Sequence, residues 1–517
     1  MGHRTAKAFG LAGALLCLAA APPRPVFAGE GASALRVMDA EYWRRQALED
    51  LIPRWQKSAV DAENGGFFMN LSRDWRPIPP WDKVPALIGR HVFGFSAAFL
   101  LSGKPEFLDV ARGGVDYLFH RGWDDRYGGW YDRLSRDGTP LVETKSVANR
   151  LYTDAGLTEY FLATGDSSVL SRVRESVAIQ RTRARDAEFG GYAQTLGRDL
   201  AVVDYGKNKH AHYGYVGSLL LNLYLATGER EVLDWSRELL DLSLEKLTDG
   251  EGWLHGFRSR FDRRWVRTPN VVGGKEVVSV GAELTAALAL LRFYHQSGEE
   301  KYLRSGKLLG DRLIERAFDA KRGAWPELIE TKAPYRVTAD PVVWWWVQIY
   351  GSFLELQLYR VTGEDRYLEV FRKSEEFFEN HMKDRENGGI FSAVTPEGRV
   401  VGEGRKASDS EWHTSYHEME HALLNYLYLN LYVHRTPAVL YFRLDGPVSH
   451  LVSPVDDPAV TVASVKMDGK PWTDFDARRR LVTVPGGRGH AVEVTLAPGP
   501  RGAGKPAPPD STSNPRR

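Results

Sequence analysis

Two kinds of helical segment alternate along most of the chain. Six segments carry charged residues on one side and apolar residues on the other, at residues 39–60, 106–120, 168–183, 229–248, 300–318 and 366–383. Between them lie six segments that are apolar nearly all round, at residues 90–101, 151–163, 214–226, 281–296, 344–361 and 416–433. An amphipathic helix can face water, whereas a helix that is apolar on every side must be buried. The pattern therefore predicts outer helices that shield an inner set.

A repeat marks the ends of these helices. Turns such as Thr164-Gly165-Asp166 recur between the segments, and glycine there is typical of a helix C-terminus. Six outer and six inner helices in strict alternation predict an all-α (α/α)6 toroid over residues 34–435. Glycine-aromatic loops precede the inner helices, so all six inner N-termini should open on one face. These loops are at Gly65-Gly66-Phe67, Gly128-Gly129-Trp130 and Gly190-Gly191-Tyr192, with weaker copies at Gly252, Gly323 and Gly388.

The period of the pattern changes after Pro437. Segments 439–444, 460–467, 480–484 and 491–496 alternate like strands, with turns expected at Asp468-Gly469 and Gly486-Gly487. We expect a small all-β module over residues 437–498. Residues 500–517 are rich in Pro, Gly and Ser, which predicts a disordered tail.

The N-terminus has the features of a secretory signal peptide. Arg4 and Lys7 precede an apolar run over residues 8–21, and Val26-Phe27-Ala28 supplies a cleavage site. The run is too short to span a membrane as a mature helix. The single cysteine, Cys17, lies inside it, so the mature chain has no thiol for disulfides, Cys catalysis or thiolate metal sites. We expect residues 1–28 to be removed and the protein to be secreted or periplasmic.

Charge and composition narrow the range of partners. The formal net charge is +1, which gives no electrostatic footprint for nucleic acid or for a membrane surface. The 15 tryptophans suit a protein that stacks flat faces against sugars or bases, although Trp is also common in cores. We expect a small-molecule partner, and a homodimer is compatible with the sequence.

Polar and aromatic residues collect where the inner helices start. The cluster is densest at residues 412–423, WHTSYHEMEHAL, which holds three histidines. Neutral His is the side chain best suited to moving protons near pH 7. Polar groups among flat apolar walls are typical of a neutral sugar site. The candidates on this face are Arg90, Tyr152, Asn208, His210, His212, Glu283, Trp345, Trp346, Gln348, Trp412, Tyr416 and His417.

Four short motifs in this order resemble those of the N-acylglucosamine 2-epimerase family, which includes cellobiose 2-epimerases and mannose isomerases. The family's R-x-x-W-x-F-S segment is echoed by RHVFGFS at residues 90–96, and its N-x-H-x-H segment by NKHAH at 208–212. Its W-W-x-Q segment matches WWVQ at 345–348, and its W-x-x-x-Y-H segment matches residues 412–417. The likeness covers the whole predicted toroid and implies the same fold.

The resemblance implies a reaction and roles for the residues. In the family, two histidines on opposite sides of the sugar move the proton at C2 through an enediolate, and an arginine holds the oxyanion. By resemblance His417 is one base, Arg90 is the clamp, and His210 or His212 serves ring opening or binding. Glu283 joins the catalytic set. The substrate-binding set is His212, Asn208, Trp345, Trp346, Gln348, Trp412, Tyr416 and Tyr152.

Three positions depart from the family pattern. Val280 stands where the family has the histidine of H-D-I-E, Tyr350 replaces a glutamate, and Ala148 replaces a tyrosine. With one base lost, a single base could still shuttle a proton between C1 and C2, which is aldose–ketose isomerisation. A non-catalytic sugar-binding protein is another outcome of that loss.

An (α/α)6 ring can also hold glycoside hydrolases or polysaccharide lyases. A hydrolase needs two carboxylates across the pocket, for which Glu283 with Asp154 or Asp204 are candidates. A lyase needs a neutral Tyr or His base, for which Tyr416 and His417 qualify. Export to a compartment that contains polysaccharides suits the hydrolase class.

Residues 417–421, HEMEH, also match the H-E-x-x-H pattern of zinc metalloproteases. Such a site needs a third ligand, a Glu on a later helix or a His shortly after. No Glu occurs between His421 and Pro437, and no Gly-x-x-His follows. We therefore expect neither a metal nor another cofactor.

Overall fold

The computed structural model describes residues 36–499. The predicted signal peptide at 1–28, with Cys17, and the predicted tail at 500–517 lie outside the described residues. Twelve long helices, α1–α12, alternate between an outer and an inner position along the described chain. The outer helices are α1 (40–59), α3 (105–122), α5 (Ser167–Arg183), α7 (Arg230–Lys246), α9 (Glu300–Arg316) and α11 (365–382). The inner helices are α2 (Pro85–Ser102), α4 (Val147–Thr164), α6 (213–227), α8 (Val280–Ser297), α10 (Trp345–Thr362) and α12 (415–434).

The inner helices close into a ring. Each packs against the next inner helix, and α12 packs against α2. Each also packs against the outer helix that follows it in the chain, while α12 packs against α1. Every residue of α2 except the last is buried, so its length and apolar character, sufficient to cross a membrane, serve the core of the ring. This arrangement is the (α/α)6 toroid that the alternation predicts.

Two inner helices begin earlier than the apolar pattern indicates. Helix α2 starts at Pro85 rather than at residue 90, and α4 starts at Val147 rather than at residue 151. Proline is favoured in the first turn of a helix, and the Ser146 hydroxyl accepts a hydrogen bond from Asn149 N as an N-cap. The first turn of α4 contains the polar residues Asn149 and Arg150, whereas residues 85–89 of α2, PALIG, are apolar and polarity does not explain the earlier start there. Arg90 consequently lies in the second turn of α2.

Glycines let neighbouring inner helices touch. A Cβ added at Gly156 of α4 would lie 1.8 Å from the carbonyl oxygen of Gly89 on α2. A Cβ added at Gly94 of α2 would lie 2.4 Å from the hydroxyl of Ser415 at the start of α12. The backbones therefore approach at distances that no other residue permits, and this closes the ring beside Arg90 and His417.

Buried ion pairs hold the glycine-aromatic loops in place. In four repeats an aspartate at the start of the loop binds a buried lysine at 2.9–3.0 Å, and an arginine from a neighbouring hairpin binds the same aspartate at 2.9–3.2 Å. These lysines fasten loops and do not belong to the open face. The pairs are Lys83 with Asp61, Lys145 with Asp124, Lys207 with Asp186 and Lys406 with Asp384.

Short antiparallel hairpins connect the loops to the inner helices. They form small sheets of the order β1-β2, β3-β4-β5, β6-β7, β10-β9-β8 and β11-β12. The strands are β1 (Arg133–Leu134), β2 (Pro140–Val142), β3 (Lys145–Ser146), β4 (Thr195–Leu196), β5 (Val202–Asp204), β6 (Arg260–Phe261), β7 (Arg267–Thr268), β8 (Val271–Val272), β9 (Lys275–Ser279), β10 (Leu328–Glu330), β11 (Val343–Trp344) and β12 (Ala393–Val394).

A five-stranded antiparallel sheet follows α12. Its strands are β13 (Ala438–Leu451), β14 (Thr461–Met467), β15 (Lys470–Trp472), β16 (Phe475–Asp476) and β17 (Leu481–Ala497), in the order β13-β17-β14-β15 with β16 beside β17. The sheet covers the C-terminal ends of the inner helices, where His450 Nε2 lies 2.8 Å from Leu162 O and Asp456 binds Arg292 at 2.7 Å. The turn predicted at Gly486-Gly487 is wrong. β17 runs through both glycines, and its pairing with β13 is only bulged where Gly446 faces Gly487.

Candidate active site

A cavity of about 400 Å³ opens at the N-terminal ends of the inner helices. This size suits a small ligand, and its walls combine aromatic faces with a few charged groups. It lies at the end of the ring opposite the C-terminal sheet. Its lining residues are Arg90, Ala148, Tyr152, Lys209, His210, Ser218, Phe257, Arg258, Thr285, Trp344, Trp345, Trp346, Tyr350, Ser410, Glu411, Trp412 and His417.

His417 lies in the first turn of α12 and hydrogen-bonds at both ring nitrogens. Arg90 Nη2 lies 2.9 Å from Nε2, and Glu420 Oε2 lies 2.9 Å from Nδ1. A guanidinium can only donate, so Nε2 must accept and the neutral ring carries its proton on Nδ1, which donates to Glu420. Burial, with Arg90 adding to it, holds the pKa of His417 well below its usual 6.5. His417 is therefore a neutral imidazole with its Nε2 lone pair at the pocket.

Arg90 is held by aromatic rings rather than by a carboxylate. Its guanidinium carbon lies 4.3 Å from the centre of the Tyr152 ring and 5.1 Å from that of Tyr416. Its Nη1 donates to the carbonyl oxygen of Trp412, whose backbone is in the left-handed region at φ 60°. A cation without a carboxylate partner keeps its full charge for a ligand anion. Arg90 forms no ion pair with Glu283, whose carboxylate accepts from Leu254 N instead.

Glu420 connects the pocket to a smaller cavity deeper in the ring. It lies one turn beyond His417 and also lines a space of about 50 Å³ together with Glu159 and Arg292. Burial raises the pKa of Glu420 to about 8, although Arg292 and Arg90 lower it. Burial likewise raises the pKa of Glu159 to about 8. Glu420 can therefore gain or lose a proton near neutral pH while it holds Nδ1 of His417.

The N-x-H-x-H segment opens α6 in a short 3₁₀ turn, Lys209–Ala211. Asn208 Oδ1 caps this turn by accepting from Ala211 N at 3.1 Å. His210 lines the pocket, with its ring 6.2 Å from Tyr152 and 6.0 Å from Phe257. Burial holds its pKa well below 6.5, so it is neutral. Lys209, which was not predicted from the sequence, also lines the pocket.

Seven of the predicted residues meet at this pocket: Arg90, Tyr152, His210, Trp345, Trp346, Trp412 and His417. Tyr416 is fully buried and packs 4.4 Å from Phe93, behind the pocket wall. The indole Nε1 of Trp345 is buried without a hydrogen-bond partner among residues 36–499.

Four predicted residues lie outside the pocket and support loops. Glu283 is fully buried and accepts from Leu254 N at 2.9 Å, while burial raises its pKa well above 4.5. Gln348 accepts from Trp325 N and donates to Gly323 O and Ser374 O. His212 lies 2.7 Å from Asn208 O and 3.4 Å from Tyr192 N, so both of its nitrogens are used. Asn208 is the cap described above. These residues lie at the predicted end of the ring, but their side chains bind groups inside the protein and do not line the cavity.

The carboxylates that a hydrolase would need are not brought together. Asp154 is buried against Trp130 Nε1 and Ser176 at 2.6–2.7 Å, and Asp204 is exposed on a hairpin. Glu283 faces away from the pocket. Within the described chain, Glu411 is the carboxylate that lines it. The proposed pairing of Glu283 with Asp154 or Asp204 is therefore wrong.

The H-E-x-x-H match does not form a metal centre. His417 faces Arg90 and Glu420, whereas His421, one turn further along the helix, binds Glu375 at 2.6 Å. Glu418 accepts from Trp55 Nε1 at 2.8 Å and lies 3.2 Å from His413. Residues 36–499 contain no group of three His, Cys, Asp or Glu side chains placed to hold a metal ion.

Several pocket residues had no signal in the sequence. Phe257 and Arg258 come from an irregular loop without periodicity. Glu420 binds Nδ1 of His417 without lining the pocket, and nothing in the sequence distinguished it from Glu418. Lys209 lies inside the N-x-H-x-H segment, between the predicted residues Asn208 and His210. Its position within that motif was the one available clue.

Known proteins resemble this chain over most of its length. The family model of N-acylglucosamine 2-epimerase (GlcNAc 2-epimerase) matches residues 66–419. A cellobiose 2-epimerase of Bacteroides fragilis is 24% identical over 386 residues, covering 72% of this chain and 95% of that protein. A D-mannose isomerase of Marinomonas mediterranea is 24% identical over 394 residues, covering 74% and 95%.

The fold has the same relatives. The solved structure of a cellobiose 2-epimerase from Spirochaeta thermophila superposes with a TM-score of 0.67 at 23% identity, covering 76% of this chain and 96% of that one. The match of the family model extends over most of the toroid and includes Arg90 and His417. The chain therefore belongs to the N-acylglucosamine 2-epimerase family of sugar epimerases and isomerases.

Proposed function

We propose that this protein is an exported sugar isomerase or epimerase that moves a proton at C2 of a free reducing sugar through an enediolate, without a cofactor. The observation that carries the proposal is the line of hydrogen bonds from Arg90 through His417 to Glu420 at the pocket wall. Arg90 supplies a cation that can stabilise an oxyanion, and His417 supplies a neutral base. Glu420 stabilises the imidazolium after His417 has taken a proton.

The chemistry starts from the open form of the sugar, with a carbonyl at C1 and a hydrogen on C2. Neutral His210, whose ring nitrogens make no hydrogen bond within the described chain, is suited to help open the ring. The carbonyl oxygen is expected beside Arg90. As charge develops there, the N–H that binds Nε2 of His417 can turn to the oxygen.

That turn would free the base at the moment it is needed. Nε2 of His417 then takes the C2 proton, and the ring becomes an imidazolium whose Nδ1–H stays on Glu420. Return of the proton to C1 gives a ketose, and return of a proton to the other face of C2 gives the epimer. The walls of Trp346 and Trp412 supply flat faces for the sugar rings.

The test is proton NMR of the mature protein in D₂O with glucose, mannose, N-acetylglucosamine and cellobiose. We expect deuterium at C2 of at least one sugar, with or without a new epimer or ketose. Line broadening without exchange would indicate a sugar-binding protein and overturn the proposal. New reducing ends or unsaturated products from oligosaccharides would move it to the hydrolases or lyases.

Export is the second part of the proposal and rests on residues 1–28 of the sequence. N-terminal sequencing of protein recovered from the medium or periplasm should begin at Gly29. An intact N-terminus in the cytoplasmic fraction would overturn it.

A further inference from the structure

One lysine in the fold lacks the partner that the others have. Five lysines are buried within residues 36–499, and four of them each bind an aspartate of a glycine-aromatic loop. The fifth, Lys209, is 5% exposed, and its side-chain amine makes no hydrogen bond or ion pair with any described residue. Its Nζ lies 4.2 Å from the centre of the Phe257 ring and 5.0 Å from that of Trp346, at the pocket. A buried amine that lines a ligand cavity and has no counter-ion is a candidate functional group.

The backbone of Lys209 is fixed where the ring requires it. Lys209 N donates to Gly256 O at 2.8 Å, and His212 N donates to Lys209 O at 3.0 Å. Lys209 stands at the start of α6, and His417 at the start of α12. In a closed ring of six inner helices, α6 and α12 are third neighbours in either direction. The amine and the imidazole therefore approach a ligand on the ring axis from opposite sides.

The same amine lies beside the place of the missing histidine. Val280, the first residue of α8, is fully buried and does not line the pocket. Trp346 covers this helix start so closely that a Cβ added at Gly281 would lie 2.2 Å from its ring. Lys209 Nζ lies 5.0 Å from the centre of that same indole ring, and both residues line the pocket. Lys209 of α6 therefore lies at the part of the pocket next to the start of α8, where the family has its histidine.

We propose that Lys209 is the second proton carrier of the site and acts on the face of C2 opposite to His417. This rests on the proposed function, since it assigns the other half of the same C2 chemistry. His417 Nε2 takes the proton from C2, and the electron pair of the broken C–H bond enters the enediolate. The Lys209 ammonium then gives a proton to the opposite face of C2. A new C2–H bond forms, leaving a neutral amine and an imidazolium, which return to their starting states by exchange with water.

The charges around the amine suit this role. Burial lowers the pKa of Lys209 to about 8, Glu327 raises it, and Arg90 and Arg258 lower it further. An amine in that range can both give and take a proton near neutral pH. Neutral His210 beside it is a poor acid and cannot deliver the proton in its place. The Glu327 carboxylate is already bound to Arg258 at 3.0 Å, so it does not hold the lysine.

The experiment compares Lys209→Met and Lys209→Arg with the wild type in D₂O, using the sugar that shows exchange. Wild type is expected to form the 2-epimer with deuterium at C2. Lys209→Met should lose 2-epimer formation by at least about 10²-fold while His417 still exchanges the C2 hydrogen or forms ketose. Lys209→Arg should behave like the Met variant, because a guanidinium is too weak an acid to release its proton. Lys275→Met, at an exposed lysine on β9, controls for the substitution itself.

Each other result overturns the inference. Epimer formation at the wild-type rate in Lys209→Met, or its recovery in Lys209→Arg, would mean that the lysine supplies no proton or only a charge. A wild type that forms ketose but no epimer would overturn the second carrier while leaving the isomerase intact. Loss of C2 exchange in both variants, with unchanged circular dichroism and thermal midpoint, would make Lys209 a binding residue. No exchange by the wild type with any sugar would instead defeat the proposed function itself.

A pH profile gives an independent reading. Epimer formation should decline above a pH of about 8, as the ammonium loses its proton. The decline should be absent from the residual C2 exchange of Lys209→Met. The groups that set this pKa are Glu327, Arg90 and Arg258, with neutral His210 and His417 on the neighbouring walls. An alkaline limb that is unchanged in Lys209→Met would count against the assignment.

Discussion

Arg90 and His417 are 327 positions apart in the chain, yet Nη2 of the first lies 2.9 Å from Nε2 of the second. They meet because α2 and α12, the first and last inner helices, are neighbours in the closed ring. The contact fixes which ring nitrogen of His417 is bare, since an arginine can only donate. It also places the cation for an oxyanion next to the base that would create it. Ring closure therefore brings Arg90 and His417 together.

Replacement of His417 by Ala should lower C2 exchange by about 10²–10⁴-fold, the usual contribution of a positioned base. Substrate affinity should change far less, because the aromatic walls remain. Rates come from the D₂O experiment and affinity from titration calorimetry. His120→Ala, at an exposed histidine, is the matched control and should keep wild-type rates. Exchange retained in His417→Ala would remove His417 from its assigned role.

Replacement of Glu420 by Gln should lower kcat with little change in KM. The amide keeps the size of the side chain but cannot stabilise an imidazolium, and its NH₂ group can turn the ring to the wrong tautomer. A wrong tautomer costs ~10⁴-fold in kcat in a serine protease triad, so a loss between about 10- and 10⁴-fold is expected. Glu411→Gln, at the pocket but away from His417, serves for comparison. Equal kcat in wild type and Glu420→Gln would show that the Nδ1 contact is only structural.

Replacement of Arg90 by Met should raise the pKa of His417 towards 6.5, because Arg90 is one of the two main causes that lower it. Burial remains, so the pKa should still lie below the ordinary value. The shift is measured from the titration of the ring proton by NMR. The same variant should lose about 10²–10³-fold in kcat, as expected for an oxyanion donor. An unchanged titration would mean that the guanidinium does not act on the ring.

The acid limb of the wild-type profile should lie well below pH 6.5. His417 must be neutral to take a proton, and its lowered pKa keeps it neutral as the pH falls through the range where a free histidine would become charged. The kcat/KM of C2 exchange should therefore not be halved near pH 6.5. A midpoint at the ordinary histidine pKa would contradict the burial of this ring.

Replacement of Asp186 by Asn should reduce the free energy of unfolding by about 3–5 kcal/mol, because it leaves Lys207 charged and buried without a partner. Glu188→Gln is the matched control. Glu188 binds the same Arg263 at 3.1 Å but its side chain is 61% exposed, so the expected change is only about 0–1 kcal/mol. Chemical denaturation followed by circular dichroism measures both. Equal values for the two variants would show that burial does not decide the strength of these pairs.

The alternation of amphipathic and apolar segments was enough to predict the toroid, since a helix that is apolar on all sides has no stable place except an inner ring. Motif order and ring position together also predicted that Arg90, His210 and His417 share one face, because the repeat puts every inner N-terminus at the same end. The ends of individual helices and one turn were predicted less well. The helix starts at Pro85 and Val147 were missed, and glycines at 486–487 that look like a turn instead lie in a bulged strand.

What the sequence by itself determined is therefore the burial of whole helices and the end of the ring at which chemistry collects, because both follow from periodicity and chain order. Only the tertiary structure decided which side chains face the cavity. Glu283, Gln348 and His212 lie at the predicted end of the ring but bind buried backbone groups, whereas Lys209 lines the pocket and Glu420 binds His417 without lining it. Whether a side chain faces the cavity depends on its angle around the helix axis and on whether a neighbouring ring covers it, as Trp346 covers Gly281. Contacts between residues far apart in the chain set both.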